Sequence, residues 1–413
     1  MRTSDTAKFN NILFATLFIL GFLSCKQKDK DPVIGKVEEP VVVLVNNLPQ
    51  INITTKGGAS ITSKDIYIPG DIVLNGKSIY SDYTGTTQIR GRGNTTWKYQ
   101  KKPYKIKLDT KAPLLDMSAA KDWILLANYL DGMHTLNPVA FKIGKLLNIP
   151  FTNNIVPVEL TLNGQYQGLY MLTEQIEVKD NRVNVGNDGI LLQMDTNFDD
   201  PWKFKSAAYQ LPVMIMYPEL TDATQITPIK QEFEQLESLV ASADFPNNKY
   251  LDYLDAESVA NYLLAYMLTD NEEINHPKST YLYKTRTGKW TMGPIWDFDW
   301  AFAFEGSQQY FNSATRSLFW SSSSSVGTKF FSKLMTDPRI KTLMKQKWTD
   351  FKTNKFAELL TFVDDYTSKI EAARSKDYQI WKRGSPNFKN DVGNLKNWLQ
   401  NRSNYMTTFI GNL

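Results

Sequence analysis

Apolar residues return at every second position in Tyr104-Lys105-Ile106-Lys107-Leu108, which puts Tyr104, Ile106 and Leu108 on one face and predicts a half-buried strand. Ile51-Asn52-Ile53-Thr54 alternates in the same way. Val156–Leu162 and Gln165–Leu172 flank Asn163-Gly164, a dipeptide in which both positions accept positive φ, and this predicts a tight hairpin. Between Met133 and Leu147 the period changes. Leu136, Val139, Ala140, Ile143, Leu146 and Leu147 recur at helical spacing, with Pro138 where a first turn tolerates it. The stretch from Ile51 to Ile176 therefore reads as β-rich, interrupted by one amphipathic helix.

Beyond Ile176 helical spacing dominates. Asp255 is placed to cap a helix whose Val259, Tyr262, Leu263, Tyr266 and Met267 form one stripe, ending near Thr269. The polar segment Asp270–His276 follows, then two short strand-like runs, Thr280–Tyr283 and Trp290–Ile295, joined through a turn at Gly288. Trp296-Asp297-Phe298-Asp299 closes the second run. Phe330–Leu343, Phe356–Ala373 and Val392–Ile410 predict further helices, and Ser321–Ser325 a mobile loop. The expected class is α+β, with a β-rich N-terminal lobe over 49–176 and a mostly helical C-terminal lobe over 177–413.

The first residues follow a different logic. Arg2 and Lys8 precede an apolar run from Ile12 to Leu23, and Ser24-Cys25 closes it. That run is about a dozen residues, short of the roughly 20 that span a bilayer, and its layout is that of a signal peptide. Cys25 is the only cysteine, so it has no internal disulfide partner. The expectation is a lipoprotein signal peptide over 1–24, lipidation of Cys25, and a charged, aperiodic tether over 25–48. The protein is expected to be exported and held on a membrane, periplasmic or at the cell surface.

Composition is that of an ordinary globular protein, 42% hydrophobic and 13% aromatic with a net charge of +4. Lys and Arg are mixed with Asp and Glu, so no basic stripe marks a nucleic-acid partner. The order helix, acidic loop, hairpin, Asp-Phe-Asp does have a chemical logic. Phosphoryl transfer needs one carboxylate near the accepting hydroxyl, others holding a divalent ion, and a cation on the phosphate oxygens. Protein kinases place the first carboxylate after a helix and the metal-binding Asp after a following hairpin.

Five separated motifs sharpen this reading: Arg90-Gly91-Arg92-Gly93-Asn94-Thr95-Thr96-Trp97, Lys101 to Leu108, Leu125 to Tyr129, Gly168 to Gln175, and Gly293-Pro294-Ile295-Trp296-Asp297-Phe298-Asp299. Together, and in this order, they resemble the CotH family of spore-coat protein H kinase-like proteins, from about Ile51 to the C-terminus. The resemblance implies an atypical two-lobed protein-kinase-like fold that binds ATP and Mg²⁺ or Mn²⁺ and transfers phosphate to protein Ser or Thr. Carried over residue by residue, it implies Asp297 as metal ligand, with Asp299 and Asn271 beside it. Glu273 aligns with the family's catalytic Asp, and Asp270 is the alternative base, with Asn275 five residues beyond it.

The phosphate-binding lysine is expected at Lys107, with Lys105 on the same strand face as the alternative. The 133–147 helix has no Glu to pair with it, which leaves Asp131 or Glu159. Arg90 and Arg92 are candidates for phosphate or substrate contacts. Glu174 falls where a kinase hinge meets adenine, and His276 is a structural or catalytic histidine. A second reading comes from the expected compartment, which is separated from cytoplasmic ATP: a catalytically inactive kinase-like scaffold that binds polysaccharide or a partner protein.

Overall fold

A computed structural model describes residues 47–306, 309–319 and 324–413. The expected signal peptide, Cys25, nearly all of the 25–48 tether and Ser321–Ser323 lie outside the described residues.

Seven strands close into a barrel in the order β1-β2-β3-β4-β5-β7-β6. They are β1 (Gln50–Thr55), β2 (Ile68–Asn75), β3 (Tyr83–Gly91), β4 (Tyr104–Leu114), β5 (Met117–Leu126), β6 (Ile155–Leu162) and β7 (Gln165–Glu174). Neighbours are antiparallel except at the seam, where β1 runs parallel to β6 with Gln50 beside Glu159. Alternation decides what faces inward: Ile51, Ile53, Ile72, Leu74, Ile89, Ile106 and Leu108 fill the barrel and are 1% exposed or less. Closure removes the free edges an open sheet would leave. The expected hairpin turns at Asn163 and Gly164, with φ of 50° and 75°.

After β5 the chain enters α1 (Leu136–Leu146), whose first amide, Leu136 N, donates to the Asp131 carboxylate (2.8 Å), which also accepts from Met133 N just ahead of the helix (3.0 Å). The region beyond residue 176 is less helical than its sequence suggests. It opens with β8 (Ile190–Met194), β9 (Lys203–Lys205) and β10 (Pro212–Tyr217), which join β11 (Thr280–Lys284) and β12 (Thr291–Met292) in a five-stranded sheet ordered β12-β11-β8-β10-β9. The expected hairpin is the edge of this sheet. Ile190-Leu191-Leu192 is buried on both faces, so it shows neither the two-residue nor the helical period.

The remaining helices are α2 (Ile226–Ala241), α3 (Ala256–Thr269), α4 (Val326–Leu334), α5 (Pro338–Asp350), α6 (Phe356–Trp381) and α7 (Phe388–Gly411). Asp255 caps α3 by accepting from Glu257 N (2.9 Å) and Ser258 N (3.2 Å), and the helix is buried from Ser258 to Thr269. The single helix expected over Phe330–Leu343 is two. Asp337 caps α5 through Arg339 N (2.7 Å) with Pro338 in its first turn, which ends α4. Among the described residues no helix is long and apolar enough to cross a membrane.

A buried carboxylate ties the barrel to this body. Asp377 of α6 pairs with Lys101 of the β3–β4 connection (2.6 Å), accepts from Leu169 N of β7 (2.8 Å) and meets His134 Nε2 at the start of α1 (3.0 Å).

Candidate active site

A cleft of about 700 Å³ lies between the barrel and the second sheet. One wall is the β3–β4 connection with the end of β5. The other carries Asp195 and Asp199 after β8, and the turns that follow α3 and β12.

Two helices shape its acidic wall. At the end of α3, Asp270 takes a left-handed conformation (φ 48°) and turns the chain into a short 3-10 segment, Glu272–Ile274. Asn271 caps that segment by accepting from Glu273 N (3.0 Å), and Glu273 enters the cleft. After β12, Asp297 sits at φ +68°, a region costly for a residue with a Cβ. The next residue holds it there: Phe298 N donates to Asn137 of α1 (2.8 Å), and the fully buried Phe298 ring packs against Tyr266 of α3. Asp299 follows, its carbonyl accepting from Tyr310 Oη (2.8 Å).

Three carboxyl groups thus share one end of the cleft, and the pKa values of Glu273 and Asp299 record the crowding. Burial pushes Glu273 well above the usual carboxylate range, the Asp297 and Asp195 charges push the same way, and Lys278, 3.9 Å away, opposes them. Asp299 is raised well above its ordinary value by burial first, then by Asp297 and Glu273, and it shares a hydrogen bond with the Asp297 side chain. Such a set holds a shared proton or a cation far better than full negative charge.

Arginines face the same space. Burial lowers the Arg92 pKa while the Asp297 charge supports its cationic form, and its guanidinium lies 5.4 Å from the Trp296 ring centre. Arg90 also lines the cleft, packed on Tyr67, and its buried Nε has no hydrogen-bond partner.

Residues 89–406 match the family described as CotH kinase protein. The chain belongs to the CotH family. The match runs from Ile89 in β3 to Met406 in α7, so it takes in both arginines and all three carboxylates of the cleft. No curated protein matches the chain.

Within this CotH chain the cleft brings together Glu273, Asp297, Asp299, Arg90 and Arg92 of the residues expected from sequence. The others go elsewhere. Lys107 is exposed on the outer face of the barrel, and Lys105 on that face is paired with Asp122 at 2.9 Å; neither lines the cleft. Tyr104, Ile106 and Leu108 occupy the barrel interior, so the intervening lysines point out, and of that outer face it is Arg90 of β3, across from Lys105, that reaches the cleft. Asn271 is fully buried outside the cleft lining, and its Oδ1 caps the 3-10 segment by accepting from Glu273 N. Glu174 is buried behind the cleft, accepting from the Asn154 backbone (2.6 Å) and side chain (3.2 Å), while its neighbour Gln175 lines the cleft.

The alternative base is also committed. Asp270 pairs with Arg316 (3.0 Å) and Arg402 (3.2 Å). Asn275 is buried against Leu318 O and Thr328. Asp131 caps α1, and Glu159 accepts from Tyr166 Oη (2.6 Å). His276 is exposed and lies outside this cleft. Sequence reasoning missed Asp195, a buried carboxylate fixed by Ser279 N (3.1 Å), Gln193 (2.8 Å) and Asn197 N (2.8 Å). Its signal was present: an Asp closing the apolar run Ile190–Met194, followed by Asn197 and Asp199. Asn137 left no such signal, because a helix-borne Asn reveals its partner only in the fold.

Proposed function

We propose that this protein is an ATP- and metal-dependent phosphotransferase acting on Ser or Thr hydroxyls of polypeptides, on a two-lobed kinase-like architecture. The observation that carries this is the meeting of Glu273, Asp297 and Asp299 with Arg90 and Arg92 in a single cleft.

The cleft fits a divalent ion and a phosphate chain. Clustered carboxylates whose pKa values are raised by burial and by one another's charge favour a cation, and the buried Arg90 Nε is a donor with no hydrogen-bond partner. Among the described residues no three His, Cys, Asp or Glu side chains form a ready metal cage. That suits Mg²⁺, which keeps several waters and takes one or two carboxylates plus substrate phosphates. Asp297 and Asp299 are the residues that would hold it, and its chemistry would be to neutralise charge on the phosphate oxygens.

Arg92 and Arg90 orient the phosphates from the opposite wall. Glu273 accepts the proton of the attacking hydroxyl while the new O–P bond forms and the bond to the nucleoside diphosphate breaks, the diphosphate leaving with the electron pair. Its raised pKa makes it a stronger base than an ordinary carboxylate. Replacing Glu273 with Gln tests the assignment: nucleotide should still bind while transfer of labelled γ-phosphate to a serine peptide falls by roughly 10² to 10⁴. Unchanged transfer would remove Glu273 from the role.

A second reading, a catalytically inactive binding module, has one observation in its favour. Both lysines that line the cleft are already engaged, Lys101 by Asp377 and Lys278 by Glu273 and the Trp300 ring, which leaves phosphate to be met chiefly by the arginines. Absence of metal-dependent nucleotide binding would favour it. The chain is further proposed to be an exported lipoprotein anchored through Cys25. Loss of lipid labelling in the Cys25→Ser variant tests this; labelling that persists would refute it.

A further inference from the structure

Glu273 lines a second cavity as well. This one, about 340 Å³, lies on the other side of the Glu273 turn, and Lys278 and Trp300 join Glu273 in the wall that both cavities share. Its remaining lining includes His276, Phe304 and Arg316. A group transferred from the first cavity toward Glu273 therefore has an acceptor space directly behind the same carboxylate.

The wall of this cavity says what it takes. Its charges are already partnered: Asp270 with Arg316 and Arg402, Arg316 with Glu305 (2.9 Å), and Lys278 with Glu273. Glu272 lies in the field of Arg402. What remains is aromatic, with Phe304 stacked on a half-open Trp300 at 5.8 Å. A sugar ring would need an open indole face, but Trp300 already carries Phe304 and, at 4.6 Å, the Lys278 ammonium. The volume suits one or two amino-acid side chains.

We propose that this second cavity is the acceptor site, and that it selects polypeptides in which the reacting Ser or Thr is flanked by an apolar side chain. This rests on the phosphotransferase reading of the first cavity. The flanking side chain enters between His276 and Phe304 while the hydroxyl reaches Glu273. A buried leucine-sized side chain then gives roughly tenfold or more in kcat/KM over a charged one.

The test uses the whole chain with Mg-ATP and two peptides identical except for Leu or Asp beside a single serine. The Leu peptide should be preferred at least tenfold. His276→Trp, at an exposed position that touches only the second cavity, should raise the KM for the Leu peptide tenfold or more while the calorimetric affinity for Mg-ATP stays within twofold. Transfer that proceeds with equal preference for the two peptides, or an unchanged peptide KM in His276→Trp, overturns the acceptor site alone. A wild-type chain that binds no Mg-ATP overturns the phosphotransferase reading and this inference with it.

Discussion

Replacing Asp377 with Ala would remove the carboxylate that joins Lys101, Leu169 N and His134, and with it a buried link between barrel and helical body. Burial alone would raise the Asp377 pKa, but the charges and hydrogen bonds of Lys101 and His134 outweigh it and bring it from 3.8 to about 2. At 1.36 kcal/mol per pH unit that difference is worth about 2.5 kcal/mol of stability. Because the folded pKa lies below the unfolded one, this contribution is complete above about pH 4 and is lost as pH falls toward 2.

The variant loses more than this, since it leaves the Lys101 ammonium 1% exposed with Leu169 O (2.5 Å) and the Tyr170 ring face (4.8 Å) and no carboxylate hydrogen-bonded to it. Breaking a buried pair from one side costs about 3–5 kcal/mol. That is a large share of the 5–15 kcal/mol typical of a folded domain. Burial already lowers the Lys101 pKa, and without Asp377 it falls further. A lysine with a depressed folded pKa makes stability rise with pH, so the variant should recover part of its loss between pH 7 and 10, with a steeper rise than the wild type shows. Urea denaturation followed by tryptophan fluorescence measures both effects. Lys101→Met combined with Asp377→Leu should cost less than Asp377→Ala, because no unpaired charge is left inside. A loss below about 1 kcal/mol, independent of pH, would refute the reasoning.

Arg92→Ala should weaken Mg-ATP binding by about tenfold to a hundredfold, the worth of a charged hydrogen bond, whereas Lys107→Ala on the outer barrel face should change it less than twofold; calorimetry separates them. Asp270→Ala should destabilise the fold by about 3–5 kcal/mol in denaturant, since Arg316 and Arg402 both lose their buried partner. Asp299→Asn should raise the melting temperature of the metal-free protein at pH 7 by a few degrees. A carboxyl whose folded pKa is raised destabilises the fold once pH exceeds its unfolded value, and the amide removes that charge. A lowered melting temperature would contradict the crowding read from the cleft.

The local parts of this fold were legible where one period ruled. Alternation in β4 named the residues that fill the barrel, Asn163-Gly164 gave the hairpin, and Asp255 gave the start of α3. The same alternation already put Lys105 and Lys107 on a common face, but which face meets the cleft follows from barrel closure, which pairs β1 with β6 over more than 100 residues. Asp337-Pro338 was a readable helix boundary that a strong apolar stripe obscured. In the site, chain order located Glu273, Asp297 and Asp299 because each follows a regular element. Chain order did not show that Asn271 is bound by the very turn it caps, or that Glu174 is held by Asn154 on another loop.

The central claim is that one cleft binds nucleotide and metal together, and calorimetric titration of the tether-free protein with ATP in the presence and absence of Mg²⁺ or Mn²⁺, beside the Asp297→Ala variant, tests it most directly. Binding should require the metal and disappear in Asp297→Ala, with the variant still folded. Absence of binding at millimolar nucleotide by folded wild-type protein, or equal binding by the variant, would contradict it.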